Sequence, residues 1–313
     1  MNFTLNQLKV FIKVVETKSI TKAALELHLT QPAVSIQLRN FQDSFDIGLT
    51  EVFGRQLYIT DFGQEVYHTA QKIMLEAENL EQRSSRFRGE LSGRLKISVV
   101  STGKYIIPYF LTDFLQINPK VELVLDVTNR EQVMESLEKN QVDFSLVSVL
   151  PEKISIKKIE LMENRLYLVG KSGNTIIVPK TTSEAFTSLP LIFREKGSGT
   201  RFTIEKYMIQ KKIESKKKLE LASNEAVKQA VLAGLGYSVM PLIGIKNELQ
   251  SLEMEIIPLP EFPLISTWNL IWLRDKEFSP APSEYLKYIA KEKERIIQEH
   301  FGWQEKFHAY RPS

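Results

Sequence analysis

A chain of 313 residues that is 43% hydrophobic can bury about two or three cores, and a net charge of +3 singles out neither an acidic nor a basic partner. It has no cysteine, which excludes disulfides and thiolate chemistry and fits a reducing compartment. No run approaches the ~18 apolar residues of a membrane span, and Met1-Asn2-Phe3-Thr4-Leu5 lacks the order of a secretory leader; a cytoplasmic protein with no membrane partner is expected.

Leu5, Leu8, Phe11, Ile12 and Val15 open the chain as a helical stripe. Two short helical patterns follow, over 19–27 and from 30 onward. Ser19 caps the first, whose Ala23, Ala24 and Leu27 form a small-residue face for close helix approach. Thr30 caps the second, and Pro32 falls in the first turn, where a missing N–H costs nothing. Val34, Leu38 and Phe41 share one buried stripe, and the opposite face carries Gln31, Ser35, Gln37 and Arg39. A polar helix held on an apolar bed is what the DNA major groove admits, although two surface helices of an ordinary domain would read alike. Gln37 and Arg39 suit base edges, and Thr30, Ser35 and Arg55 suit phosphates. Charge speaks modestly against a DNA-binding unit, because residues through 60 carry a net of only +1.

Leu57-Tyr58-Ile59 reads as a wing strand, and residues 62–88 as one long helix. On it Val66, Ala70, Ile73, Ala77, Leu80, Ser84 and Phe87 alternate in steps of four and three, a heptad seam for a two-stranded coiled coil. About 24 helical residues would span roughly 36 Å. The same stripe could instead pack on its own domain; the small members favour dimerisation.

Beyond the breaks at Gly89 and Gly93 the texture is strand–helix–strand: strands Leu95–Val100, Val121–Val127 and Val142–Val149, with helices over 108–116 and 132–139 between them. The pattern restarts with strands 166–170, Thr175–Val178, 191–193, 219–222, 237–240, 255–258 and 268–273, and helices over 202–210, 225–233 and 283–300. In open α/β sheets ligands sit at the carboxyl ends of strands, against helix N-termini. Three such turns are polar: Ser101-Thr102-Gly103-Lys104, Ser148, and Gly197-Ser198-Gly199-Thr200-Arg201 with Arg194 just before it. Hydroxyls that donate, glycine amides that turn inward and the cations Lys104, Arg194 and Arg201 point to a small anion. Ser223 or Asn224 caps a helix, and Gly234 and Gly236 make its return to a strand.

Ser19, Ala23-Ala24, Leu27, Gln31-Pro32-Ala33-Val34-Ser35, Arg55, Thr60 and Gly63 resemble, in order and spacing, the N-terminal winged helix-turn-helix of LysR-type transcriptional regulators. The Gly-Ser-Gly-Thr-Arg run and the 223–241 segment extend that resemblance to about residue 300. The chain departs from the family pattern at Phe41-Gln42, Asp46 and Thr50-Glu51-Val52. The resemblance implies an α/β protein with an all-α winged helix-turn-helix (1–60), a linker helix (61–90) and a two-lobed, type 2 periplasmic-binding-protein-like effector domain (91–300). Lobe one would comprise 91–163 and 267–300, and lobe two 164–266, with crossings near 162–166 and 264–268; 301–313 is left as a tail. It further implies double-stranded promoter DNA, a small-molecule effector and RNA polymerase as partners, with homodimers assembling into homotetramers.

Little points to catalysis. His28, His68, His300 and His308 are scattered without metal-ligand spacing, and no nucleophile elbow or Walker loop occurs. No metal, cofactor or enzymatic activity is expected. The alternative is a solute-binding protein or an enzyme on the same two-lobed scaffold.

Overall fold

The computed structural model describes residues 3–54, 56–86, 90–173, 179–214 and 218–310. Arg55, Gly89, the expected strand Thr175–Val178, and Phe87 of the seam lie outside the described residues, as does the Ser84 side chain. The chain divides into two compact units, Met1–Glu90 and Leu91–Ser313.

The first unit starts with helix α1 (Leu5–Thr17), where Thr4 and Gln7 close a reciprocal capping box. Ser19 and Thr30 cap α2 (Ile20–Glu26) and α3 (Gln31–Gln42) through bonds from Lys22 and Ala33 N–H. The turn between them passes through His28 in the left-handed region, φ 54°. Strands β1 (Thr50–Phe53) and β2 (Gln56–Ile59) pair antiparallel as a wing, and α4 (Asp61–Arg86) follows. Phe41 sits at the centre of the core, edge-on to Phe3 and Phe45 and beside Phe11. Gly63 admits no other residue, since a Cβ there would stand 2.1 Å from the Leu49 carbonyl oxygen.

Two expectations need correction. Leu5 is 49% exposed, while Val10 and Val14 are buried: α1 packs on α2, α3 and α4 at once, so its buried face is wider than one stripe. On α4, Ala70 is fully covered by its own unit, and Val66, Tyr67 and Met74 pack beside it. The first two positions of the proposed seam thus belong to the core; Ile73 and Leu80 remain exposed farther along.

The second unit is built on one seven-stranded sheet in the order β10 (Met254–Ile256), β6 (Ile156–Lys171), β11 (Leu264–Leu273), β5 (Phe144–Val147), β3 (Ser92–Val100) and β4 (Lys120–Thr128), with β9 (Ser238–Pro241) also on β6. Strands β3 (Ser92–Val100), β4 (Lys120–Thr128) and β5 (Phe144–Val147) are parallel and joined through α5 (Ile107–Ile117) and α6 (Arg130–Glu138). β6 (Ile156–Lys171) and β11 (Leu264–Leu273) pair antiparallel from Leu166↔Leu264 to Ile156↔Leu273, with one register shift at Trp268/Asn269. The two crossings are thus one continuous ladder. Beyond it lie α7 (Thr182–Ser188), β7 (Leu191–Arg194), α8 (Gly199–Lys211), β8 (Lys218–Leu221), α9 (Asn224–Leu232), β9 (Ser238–Pro241), α10 (Lys246–Gln250) and β10 (Met254–Ile256). β7 and β8 pair parallel as a separate small sheet.

Separate cores mark two lobes. The first gathers Ile97, Phe110, Phe144, Trp268 and α11 (Pro280–Phe301). The other lobe holds Leu166, Phe186, Ile204 and Tyr237 on one side of its sheet, and Tyr167, Val227, Met240 and Ile245 on the other. After α11 the tail is ordered as a 3-10 segment, Gly302–Tyr310. Its Trp303 and Phe307 pack on the second lobe, and Arg165 and Tyr167 donate to the Gln304 and Phe307 carbonyls. The tail therefore ties the helix of one lobe to the core of the other.

Candidate functional site

On α3 the buried side is Val34, Leu38 and Phe41. Gln31, Pro32 and Arg39 are exposed, as expected of a groove-facing helix, whereas Ser35 and Gln37 are half-buried. Ile36 is 58% exposed on the outer side and was not marked by polarity-based reading. The wing is fastened to this helix: Gln42 Oε1 accepts from Thr50 N–H at 3.1 Å and from the Thr50 hydroxyl at 2.7 Å. Gln42 and Thr50, two departures from the family pattern, thus answer each other. Val52 and Phe53 at the wing tip are 70% and 83% exposed.

In the second unit the strand ends converge between the lobes. Arg194, at the end of β7, is 3% exposed. Its guanidinium donates to both Glu195 carboxylate oxygens at 2.8 and 2.9 Å and crosses to the Ser101 hydroxyl of the other lobe at 3.0 Å. Nη1 is left buried without a partner. Thr102 and Thr200 are buried beside these turns, and Ser148 Oγ stands 3.9 Å from where a Gly199 side chain would begin. A side chain at Gly199 would fill this space.

Two residues that sequence reasoning did not assign to the cleft join it. Arg130 opens α6; its N–H donates to the Gly197 carbonyl at 3.2 Å, its guanidinium lies 5.1 Å over the Phe202 ring, and Nε is buried and unpaired. Burial lowers its pKa from the ordinary arginine value. Asn224, 2% exposed, does not cap α9; Ser223 does, accepting from Ala226 N–H at 3.0 Å, and the Asn224 amide nitrogen has no partner. The signal for Arg130 was available, because Asn129-Arg130 follows β4 and opens a helix as the other polar turns do.

Two expected cations are withdrawn. Arg201 is ion-paired with Glu205 at 2.7 Å and with Glu220, and its Nη1 also donates to the Arg194 carbonyl, so it braces lobe two. That pairing holds the Glu220 carboxyl below the usual range. Lys104 is exposed and lies over the neighbouring Tyr105 ring at 5.0 Å. Tyr105 itself donates across the lobes to Glu225 Oε2 at 3.2 Å. Burial works to raise the Glu225 carboxyl, but Lys228 and Tyr105 outweigh it and hold it below the usual value. Among the described residues no cluster of His, Asp or Glu fits a metal, and no helix is long and apolar enough to cross a membrane.

A wing-bearing three-helix unit followed by a two-lobed cleft with buried, unpaired donors defines a DNA-binding regulator with a ligand domain. Comparison with known proteins agrees. The family described as bacterial regulatory helix-turn-helix protein, lysR family, matches residues 5–64, and the LysR substrate binding domain matches residues 88–293. The HTH-type transcriptional activator CmpR of Synechocystis sp. is 32% identical over 94% of this chain and 97% of its own. The RuBisCO operon transcriptional regulator of Allochromatium vinosum is 34% identical over 95% and 98%. The Synechocystis CcmR regulatory domain, solved in complex with 2-PG, is 32% identical with a TM-score of 0.59, covering 63% of this chain and 96% of that one. The chain belongs to the LysR family of transcription regulators. It is therefore a regulator and not an enzyme; the solute-binding and enzyme alternatives fall with the match of its DNA-binding domain.

Proposed function

We propose that this regulator binds pseudo-palindromic promoter DNA in the cytoplasm through α3 and the wing, and that an anionic metabolite bound between the lobes controls it. DNA contacts are assigned to Thr30, Gln31, Pro32, Ser35, Gln37, Arg39 and Arg55. The anion is assigned to Ser101, Thr102, Ser148, Arg194, Gly199 and Thr200, joined by Arg130 and Asn224. The observation that carries this reading is Arg194: buried, bonded across the cleft to Ser101, and retaining one N–H with no acceptor. An unpaired buried donor costs about 1–3 kcal/mol, which a ligand acceptor would recover. The complex of CcmR with 2-PG makes 2-PG the first compound to try. A ligand acts only through its different affinity for different lobe arrangements, so the same anion must change DNA affinity or bending.

Dimerisation is assigned to the exposed Ile73 and Leu80 of α4 with the half-buried Ala77 between them, and homotetramers and RNA polymerase contact follow the family's pattern. Calorimetric titration of the full chain with 2-PG and with inorganic phosphate tests the anion site, and saturable binding of either supports it. No heat from either anion, with promoter DNA still bound, removes the anionic ligand and leaves the regulator. For the seam, Leu80→Asp should yield monomers in sedimentation; persistent dimers would move the interface elsewhere.

A further inference from the structure

Rotation of about 100° per residue decides which side chains of α3 a DNA groove would meet first. Val34, Leu38 and Phe41 occupy the side against the core. Ile36 projects from the opposite side and is 58% exposed. Pro32 one turn earlier and Asn40 one turn later are exposed along the same line, with Arg39 beside them. Of the two residues that chemistry alone would choose, Arg39 is exposed beside this line, whereas Gln37 is half-buried and, like Gln31, stands about 60° from the buried stripe. The crest of the helix is thus aliphatic, a Pro32–Ile36 ridge that takes no part in the core of its own unit.

In the major groove only one base offers an apolar feature at its edge: the C5-methyl of thymine. We propose that Ile36 is a specificity-determining residue that reads a thymine methyl in each half-site. The proposal rests on the reading of α3 as the DNA-binding helix. The hydrogen-bonding residues then flank the contact, with Arg39 on the wing-proximal turn of the helix and Gln31 at its start. Ile36 contributes no hydrogen bond and no charge, so its effect is confined to one base position and is insensitive to salt, unlike a phosphate contact.

The test is selection by the full-length protein from a pool of randomised duplexes, followed by anisotropy on the enriched site. The wild type should enrich thymine at one position of each half-site, and Ile36→Ala should lose that preference while keeping the others. Replacing that thymine by deoxyuridine removes the methyl alone. It should weaken the wild type about fourfold per half-site, the worth of one buried methyl, and leave Ile36→Ala unchanged. Ile36→Arg should move the preference toward guanine. Equal affinity of the wild type for thymine and deoxyuridine, or a site that Ile36→Ala leaves intact at every position, overturns the proposal alone. Failure of the wild type to enrich any sequence overturns the DNA-binding reading and this proposal with it. An unchanged melting temperature for Ile36→Ala is the control for folding.

Discussion

Pro32, Ile36, Arg39 and Asn40 stand in solvent on α3, whereas Thr102, Arg194 and Asn224 are buried in the cleft. The helix is held from behind by Val34, Leu38 and Phe41, and its outer side chains are hydrated and free to sample rotamers. In the cleft Arg194 is held by Glu195 and Ser101, and the Arg194 and Asn224 nitrogens have already lost water without gaining a partner. A buried donor of this kind gains a full hydrogen bond when an acceptor arrives; a solvated one exchanges water for base and gains little. Losing one cleft residue should therefore cost much affinity. On α3 the loss of one residue should cost little affinity and much base preference.

The largest expected effect is at Arg194. Arg194→Lys keeps the charge but loses the fork that holds Glu195 and Ser101 together. Affinity for 2-PG as a calorimetric probe should fall about 100-fold, in the range of a charged hydrogen bond, with DNA affinity retained. An effect below about threefold would break the comparison, because the buried donor would then behave like a solvated one. Asn224→Ala removes one neutral unpaired donor and should weaken the probe about tenfold.

Tyr105→Phe tests the closure itself. It deletes the bond to Glu225 across the lobes and should weaken the probe about fivefold at neutral pH. The Glu225 carboxyl is held below its ordinary value of 4.5, so its contribution is present above that value and is lost as pH falls through the lower folded one. Wild type and variant should therefore converge in stability below pH 4.5, which acid titration of the melting temperature would show. The smallest effect is expected at Lys104, exposed over the Tyr105 ring: Lys104→Ala should change probe affinity by less than about twofold. A tenfold loss there would return Lys104 to the site.

The helix-turn-helix was legible because its signals are local. Ser19 and Thr30 cap where their sequence places them, and Val34, Leu38 and Phe41 bury as their spacing predicts. The cleft was legible as turns: Ser101, Thr102, Ser148, Arg194 and Thr200 follow strand ends, and the long ladder of β6 and β11 brings their lobes together. What failed was the assignment of charge. Arg194 and Arg201 look alike in sequence, yet Glu205 and Glu220 engage one and leave a free N–H on the other. That depends on a neighbour 19 residues away, which no local pattern reports. Ala70 failed similarly, since a heptad step does not say whether the partner is another chain or α1. The tail beyond Phe301 gave no periodic signal because it docks through two separate rings, Trp303 and Phe307, and through its own carbonyls, which accept from Arg165 and Tyr167.

The most direct test joins the two regions in one assay: anisotropy of full-length protein on its selected duplex while 2-PG is titrated, for wild type and Arg194→Lys. The account predicts equal DNA affinity without the anion, and a ligand-dependent shift in the wild type whose midpoint moves about 100-fold in the variant. No shift in the wild type, or the same midpoint in both proteins, would contradict an anion bound at Arg194.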